Sequence, residues 1–177
     1  MKLNCTIDGT QHSMIVNADK PLNLILREAA DSFPIASRCL HASCGNCMVL
    51  INGSAALSCL IPAFRVNGAA ILTYAGFRKT RFCHDIERAY AETDTRPCSQ
   101  CYASKTLLIG SLLNRYDQTR ATLHMDLRDE NRQTTSILDQ DYIEKEMGIN
   151  MCSCTQFTQI EKVIELAYTY RRRRSGR

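Results

Sequence analysis

Cys39-Leu-His-Ala-Ser-Cys44-Gly-Asn-Cys47 is the stretch on which the reading of this 177-residue chain turns. Its three cysteines are spaced C-x4-C-x2-C, and Cys59 follows twelve residues after Cys47. That is the ligand spacing of a plant-type [2Fe–2S] centre. A short loop can present three converging thiolates when its backbone curls round a centre, and Cys59 supplies the fourth from a neighbouring hairpin.

The flanking sequence suits such a loop. Before it, Leu3, Cys5 and Ile7 alternate with polar residues, Asp8-Gly9 is a hairpin signal, and Met14 and Val16 resume the alternation. Pro21 opens a helix whose face carries Leu22, Ile25, Leu26 and Ala29. After the loop, residues 48–51 form a short apolar strand ending at Asn52-Gly53, and Asn67-Gly68 precedes a last strand over 71–74. This order predicts a β-grasp, ferredoxin-like domain over residues 1–76.

Beyond Gly76 the apolar period changes from two to 3.6. Four stripes predict a small four-helix bundle over 77–170. They are Phe82, Cys83, Ile86, Ala89 and Tyr90; then Ala103, Leu107, Leu108, Leu112 and Tyr116; then Leu138, Tyr142, Ile143 and Met147; then Ile160, Val163, Ile164, Ala167 and Tyr168. Ser136 is placed as the N-cap of the third helix, and Thr158-Gln-Ile-Glu161 has capping-box spacing near the start of the fourth. Residues 117–135 are polar and read as a long insert, either a linker or an extra hairpin arm. The fold class is therefore α+β.

A second cysteine quartet lies in the helical part: Cys98, Cys101, Cys152 and Cys154. Cys98-x2-Cys101 precedes one predicted helix and Cys152-x-Cys154 another, so two positive helix ends would face an anionic centre. A four-thiolate zinc site from Cys44, Cys47, Cys98 and Cys101 is the competing arrangement, and it would leave four clustered cysteines idle. Cys5 and Cys83 lie on apolar faces and read as buried free thiols. His41 and His84 read as surface or supporting groups, because eight cysteines already suffice for two centres.

Composition bounds the setting. A hydrophobic fraction of 45% and a charged fraction of 23% are those of a globular domain. Residues 1–6 lack an apolar leader pattern and no run reaches membrane-spanning length. The expectation is a cytoplasmic, reducing setting with no membrane partner, where clustered thiols are ligands before they are disulfides. The net charge of +4 arises from the end of the chain, where five of residues 171–177 are arginine. This basic tail reads as a solvated helix end whose cations complement the helix dipole, in preference to a nucleic-acid arm.

With both quartets in place, the chain resembles the small iron–sulfur subunit of the xanthine dehydrogenase (molybdenum hydroxylase) family over nearly its whole length. The matching segments are Pro21-Leu-Asn-Leu-Ile-Leu-Arg27-Glu28, Cys39-x4-Cys44-Gly45-x-Cys47, Ser58-Cys59-Leu60, Ile71-Leu-Thr73-Tyr-Ala-Gly76, Cys98-x2-Cys101 and Cys152-x-Cys154-Thr155. The resemblance implies two [2Fe–2S] clusters. The one on Cys98, Cys101, Cys152 and Cys154 would lie nearer a molybdopterin in a large partner subunit. The one on Cys39, Cys44, Cys47 and Cys59 would lie nearer the FAD of a flavin subunit. It also implies an oxidoreductase subunit with no catalytic residue of its own, carrying electrons left by oxidation of a purine, aldehyde or N-heterocycle. The departures are local: Arg38, Leu40 and Ala42 stand where the family has glycines, Pro97 where it has glutamine, Tyr102-Ala103-Ser104 where it has Thr-Pro-Gly, and Ser153 where it has arginine. These changes keep two other functions open, a two-cluster ferredoxin-like carrier serving a partner without molybdenum, and a zinc-binding scaffold.

Overall fold

The computed structural model describes residues 1–29, 44–126, 140–150 and 152–175. Cys39, His41, Ser136 and Leu138, and with them part of the first cysteine loop and part of the predicted insert, lie outside the described residues.

Among the described residues five strands form one mixed sheet: β1 (Lys2–Ile7), β2 (Thr10–Ile15), β3 (Met48–Ile51), β4 (Ser54–Leu57) and β5 (Ala70–Leu72), in the order β2-β1-β5-β3-β4. β1 and β5 run parallel, and the other neighbouring pairs are antiparallel. Both tight turns are built as their sequences predict. Asp8 and Gly9 have φ of 49° and 86°, and Asn52 and Gly53 have 50° and 85°, the positive-φ pairs that match hairpin twist. Asp8 has a second task. Its carboxylate accepts from the Thr73 N–H at 2.7 Å and the Thr73 hydroxyl at 2.6 Å, tying the first turn to the end of β5.

Among the described residues six α-helices complete the α+β fold: α1 (Leu22–Ala29), α2 (Tyr74–Phe77), α3 (Arg81–Glu92), α4 (Tyr102–Asp126), α5 (Gln140–Met147) and α6 (Phe157–Ser175). Short 3₁₀ turns occupy Ser58–Leu60 and Ala63–Val66. The last strand ends earlier than its sequence predicts: β5 stops at Leu72, and the Thr73 hydroxyl accepts from Ala75 N–H to cap α2, so Tyr74 is helical. β4 was implied only by the Asn52-Gly53 turn, because its Ser-Ala-Ala-Leu carries little strand signal.

The described residues form two hydrophobic cores against the sheet. One gathers Leu3, Ile7, Leu22, Ile25, Leu26 and Val49 beneath α1. The other gathers Met48 and Leu50 with the buried faces of α3, α4, α5 and α6. β3 therefore sends alternate side chains into different cores, which is why its sequence reads as unbroken apolar residues. The cross-layer contact is polar too, since the Ala55 N–H donates to Ser111 Oγ at 2.8 Å.

α4 is the central helix. From Ser104 to Leu113 it is buried on every side, whereas its sequence stripe predicts a one-sided helix. It also runs on through Asp126, so residues 117–126 are helix instead of linker or hairpin arm. That segment holds Gln118, Ala121, Leu123 and Met125 with neither glycine nor proline, and helix propensity prevails over a short alternation.

The C-terminal arginines lie on a helix end, as their sequence predicts, but they are not all solvated. α6 continues to Ser175, and Arg171 is buried. Arg171 pairs with Asp117 at 2.7 Å, Arg174 with Asp85 at 2.7 Å, and both guanidinium groups stack on Phe82, at 4.1 and 5.4 Å from the ring centre. Phe82, expected in the core, is 42% exposed and is covered by arginine instead. At the other end of α6 the Gln156 N–H donates to Gln159 Oε1 at 3.0 Å, so half of a capping box forms two residues before the Thr158 position.

Candidate metal centre

The chain turns from Pro97 through Cys98 into α4 by a tight set of main-chain bonds. Cys98 O accepts from both Cys101 N–H and Tyr102 N–H at 2.9 Å. This places Cys98 and Cys101 on one side of the helix start. Residues 152–154 arrive from the end of α5 and lead directly into α6. The result brings all four predicted ligands together: the sulfurs of Cys98, Cys101, Cys152 and Cys154 lie within 4.8 Å of one another. Among the described residues this is the cysteine group suited to hold a metal.

The thiols are not equivalent. Cys101 is buried, Cys98 and Cys154 are half-buried, and Cys152 is exposed, so the centre opens to solvent at one edge. Burial, with its hydrogen bonds to Cys152 and Cys98, pushes the Cys101 thiol up to about 12. For Cys98 burial acts in the same direction, but the N–H groups of Cys101 and Gln100 and the sulfurs of Cys101 and Cys154 outweigh it and bring it down to about 7. Burial raises Cys154 as well, against the pull of the nearby Lys105 ammonium. A cation binding here would replace the protons of the reluctant thiols, since only thiolates are ligands. Four thiolates are the donor set of a [2Fe–2S] cluster and of a structural zinc ion alike, and the residues present fit either.

A buried polar network lies beneath the centre. Asn150 Nδ2 donates to Ser104 Oγ at 2.8 Å and to Asn46 Oδ1 at 2.9 Å, while Ser104 Oγ lies 3.1 Å from Asn46 Oδ1 and 3.0 Å from Cys101 O. Asn150 Oδ1 accepts from Cys152 N–H at 3.2 Å. One side-chain cluster thus fixes both arms of the quartet and reaches Asn46, which lies between Cys44 and Cys47. Gly45 supports the same junction. Its φ is +67°, and a Cβ there would stand 2.5 Å from Ile149 O and 2.7 Å from Asn150 Cα. Lys105 closes the other side, donating to Cys152 O at 3.1 Å and Thr155 Oγ1 at 2.7 Å.

Of the first quartet, Cys47 is buried at the entry to β3, Cys44 is half-buried, and Cys59 is half-buried in the first 3₁₀ turn. Ser58 ties the two arms: its N–H and its hydroxyl both donate to Cys47 O, at 3.0 and 2.7 Å. Cys39 lies outside the described residues. Cys5 and Cys83 are buried on apolar faces, as their positions predict, and His84 is on the surface beside Glu87.

Asn46, Ser104, Lys105 and Asn150 are site residues that motif spacing passes over. Lys105 had a legible signal: it lies four residues after Cys101, hence on the same face of α4. The asparagines had none, because the junction joins segments about a hundred residues apart.

Fold and site thus define an α+β chain with a four-thiol centre at the starts of two helices, and comparison with known proteins agrees with that class. No protein-family model matches the chain. The small FeS subunit of the nicotinate dehydrogenase of Eubacterium barkeri is 22% identical over 165 residues, covering 93% of each chain. The xanthine dehydrogenase iron–sulfur-binding subunit of Escherichia coli O157:H7 is 24% identical over 162 residues, covering 92% of this chain and 91% of its own. Among solved structures, the aldehyde oxidoreductase of Desulfovibrio gigas superimposes with a TM-score of 0.69 at 20% identity. That match covers 95% of this chain but 17% of the larger protein. The resemblance drawn from the cysteine spacing holds: relatives matched over most of their length are subunits of dehydrogenase and oxidoreductase complexes, and several are named as iron–sulfur subunits. No described helix is long and apolar enough to cross a membrane.

Proposed function

We propose that this chain is an electron-transfer subunit holding two [2Fe–2S] clusters, one on Cys39, Cys44, Cys47 and Cys59 and one on Cys98, Cys101, Cys152 and Cys154. The convergence of the latter four sulfurs at two helix starts carries the reading. Such groups, when bound, supply one-electron oxidation and reduction at thiolate-ligated iron. The chain's own part is to hold the thiolates, to bury them unequally and to keep the two sites joined through Asn46 and Asn150.

The sheet order, with its parallel β1–β5 pair, supports a ferredoxin-like β-grasp domain over residues 1–76, and α3 to α6 support a helical bundle over 77–170. In this reading a large molybdopterin subunit delivers electrons at the helical site, whose exposed Cys152 edge suits a partner-facing position. A flavin subunit with FAD, or another acceptor, receives them from the first site. The substrate oxidised in the complex is a purine, an aldehyde or an N-heterocycle, and the setting is the cytoplasm.

A zinc scaffold is the second reading, which the sulfur spacing also admits: sulfurs about 2.3 Å from a tetrahedral zinc stand roughly 3.8 Å apart, within the observed limit. Anaerobic purification of the native complex separates the two. The expected result is a coloured protein with about four iron and four acid-labile sulfide per chain, accompanied by a molybdopterin-containing large subunit. A colourless chain with about one zinc and no sulfide would leave the scaffold standing and the relay refuted.

A further inference from the structure

Lys105 is a buried charged group to which the relay assigns no task. The residue is 5% exposed, and its stem follows the face of α4 that carries Cys101. The ammonium, three donors with no acceptor, meets two acceptors, Cys152 O and Thr155 Oγ1. Among the described residues no carboxylate pairs with it. Burying an ammonium is unfavourable unless opposite charge lies close by, and two neutral oxygens compensate only part of that cost. The remaining counter-charge lies in the adjoining quartet, whose ligands are anionic once a metal centre is bound.

We propose that Lys105 is a positioning and potential-setting residue of the Cys98, Cys101, Cys152 and Cys154 centre: its buried ammonium clamps the Cys152–Thr155 arm and favours the more negative, reduced form of the group held there. This rests on the reading of that centre as a [2Fe–2S] site. Charge and hydrogen bonding beside a cluster are among the levers by which a protein sets its potential. Because reduction adds one negative charge, a fixed cation in contact with the ligand loop makes reduction easier. Lys105 is tied to the second quartet alone, so the first centre should be indifferent to its charge.

The test compares wild-type full-length protein with Lys105→Gln and Lys105→Arg, each prepared anaerobically. Iron and sulfide content are measured, and both centres are followed by EPR during titration with dithionite. Lys105→Gln keeps a hydrogen-bond donor but removes the charge. Electrons should partition about tenfold less onto the helical-site centre, a fall of about 59 mV for a one-electron couple, with the other midpoint unmoved. Lys105→Arg, which keeps the charge, should hold the wild-type midpoint, and it serves as the test if Lys105→Gln fails to assemble. An unmoved midpoint in Lys105→Gln, or a fall in a fully assembled Lys105→Arg protein, overturns the assignment. Wild-type protein without iron and sulfide would sink the two-cluster reading itself, and this inference with it.

Discussion

Cys101→Ser protein, purified anaerobically, is expected to lose the helical-site centre and retain roughly half the iron and sulfide of the wild type, since the two quartets share no ligand. Cys101 is the most deeply buried thiol of its group, and its carbonyl also anchors Ser104 and begins the α4 ladder. Serine keeps the size of the side chain and removes the soft thiolate that iron prefers. The EPR signal of the plant-type centre, expected at a low potential of about −400 mV, should persist. Loss of both signals together would show that the sites assemble as one unit, and retention of full iron would remove Cys101 from the ligand set.

Gly45→Ala is expected to destabilise the protein by about 2–5 kcal/mol. The left-handed backbone costs a non-glycine residue about 1–2 kcal/mol, and forcing a methyl group into a packed junction costs about 1–3 kcal/mol. The added Cβ would collide with main chain, Ile149 O and Asn150 Cα, so no side chain can swing away to admit it. For a chain of this size the melting temperature should drop by roughly 5 °C or more. The displacement should also disturb the Asn150 bonds that hold Cys152, so metal retention at the helical site should weaken although the substitution lies in the other cysteine loop. A melting temperature within a degree of wild type would show that the junction yields freely.

Much of this architecture was legible because it depends on local chemistry. Asp8-Gly9 and Asn52-Gly53 demand positive φ, and the structure shows it at all four residues. Cysteine spacing identified the helical quartet because ligand chemistry restricts which thiols can converge. What escaped was decided by contacts distant in sequence. From Ser104 to Leu113 helix α4 is buried on all sides by the sheet and its neighbouring helices, so no single stripe describes it. Phe82 left the core because Arg171 and Arg174 come back across ninety residues to cover it, and the same return takes Arg171 out of solvent on a helix end whose existence was legible. The Asn46–Ser104–Asn150 network was unreadable for the same reason: three ordinary polar residues acquire a role only when the fold joins their segments.

The double allegiance of β3 has a consequence for how the molecule comes apart. Because Met48 and Leu50 are embedded among the helices while Val49 is embedded beneath α1, neither layer can melt without stripping one side of the same strand. Heat should therefore disassemble the protein in a single cooperative step. A fragment severed near residue 76 would carry a naked greasy surface in search of company.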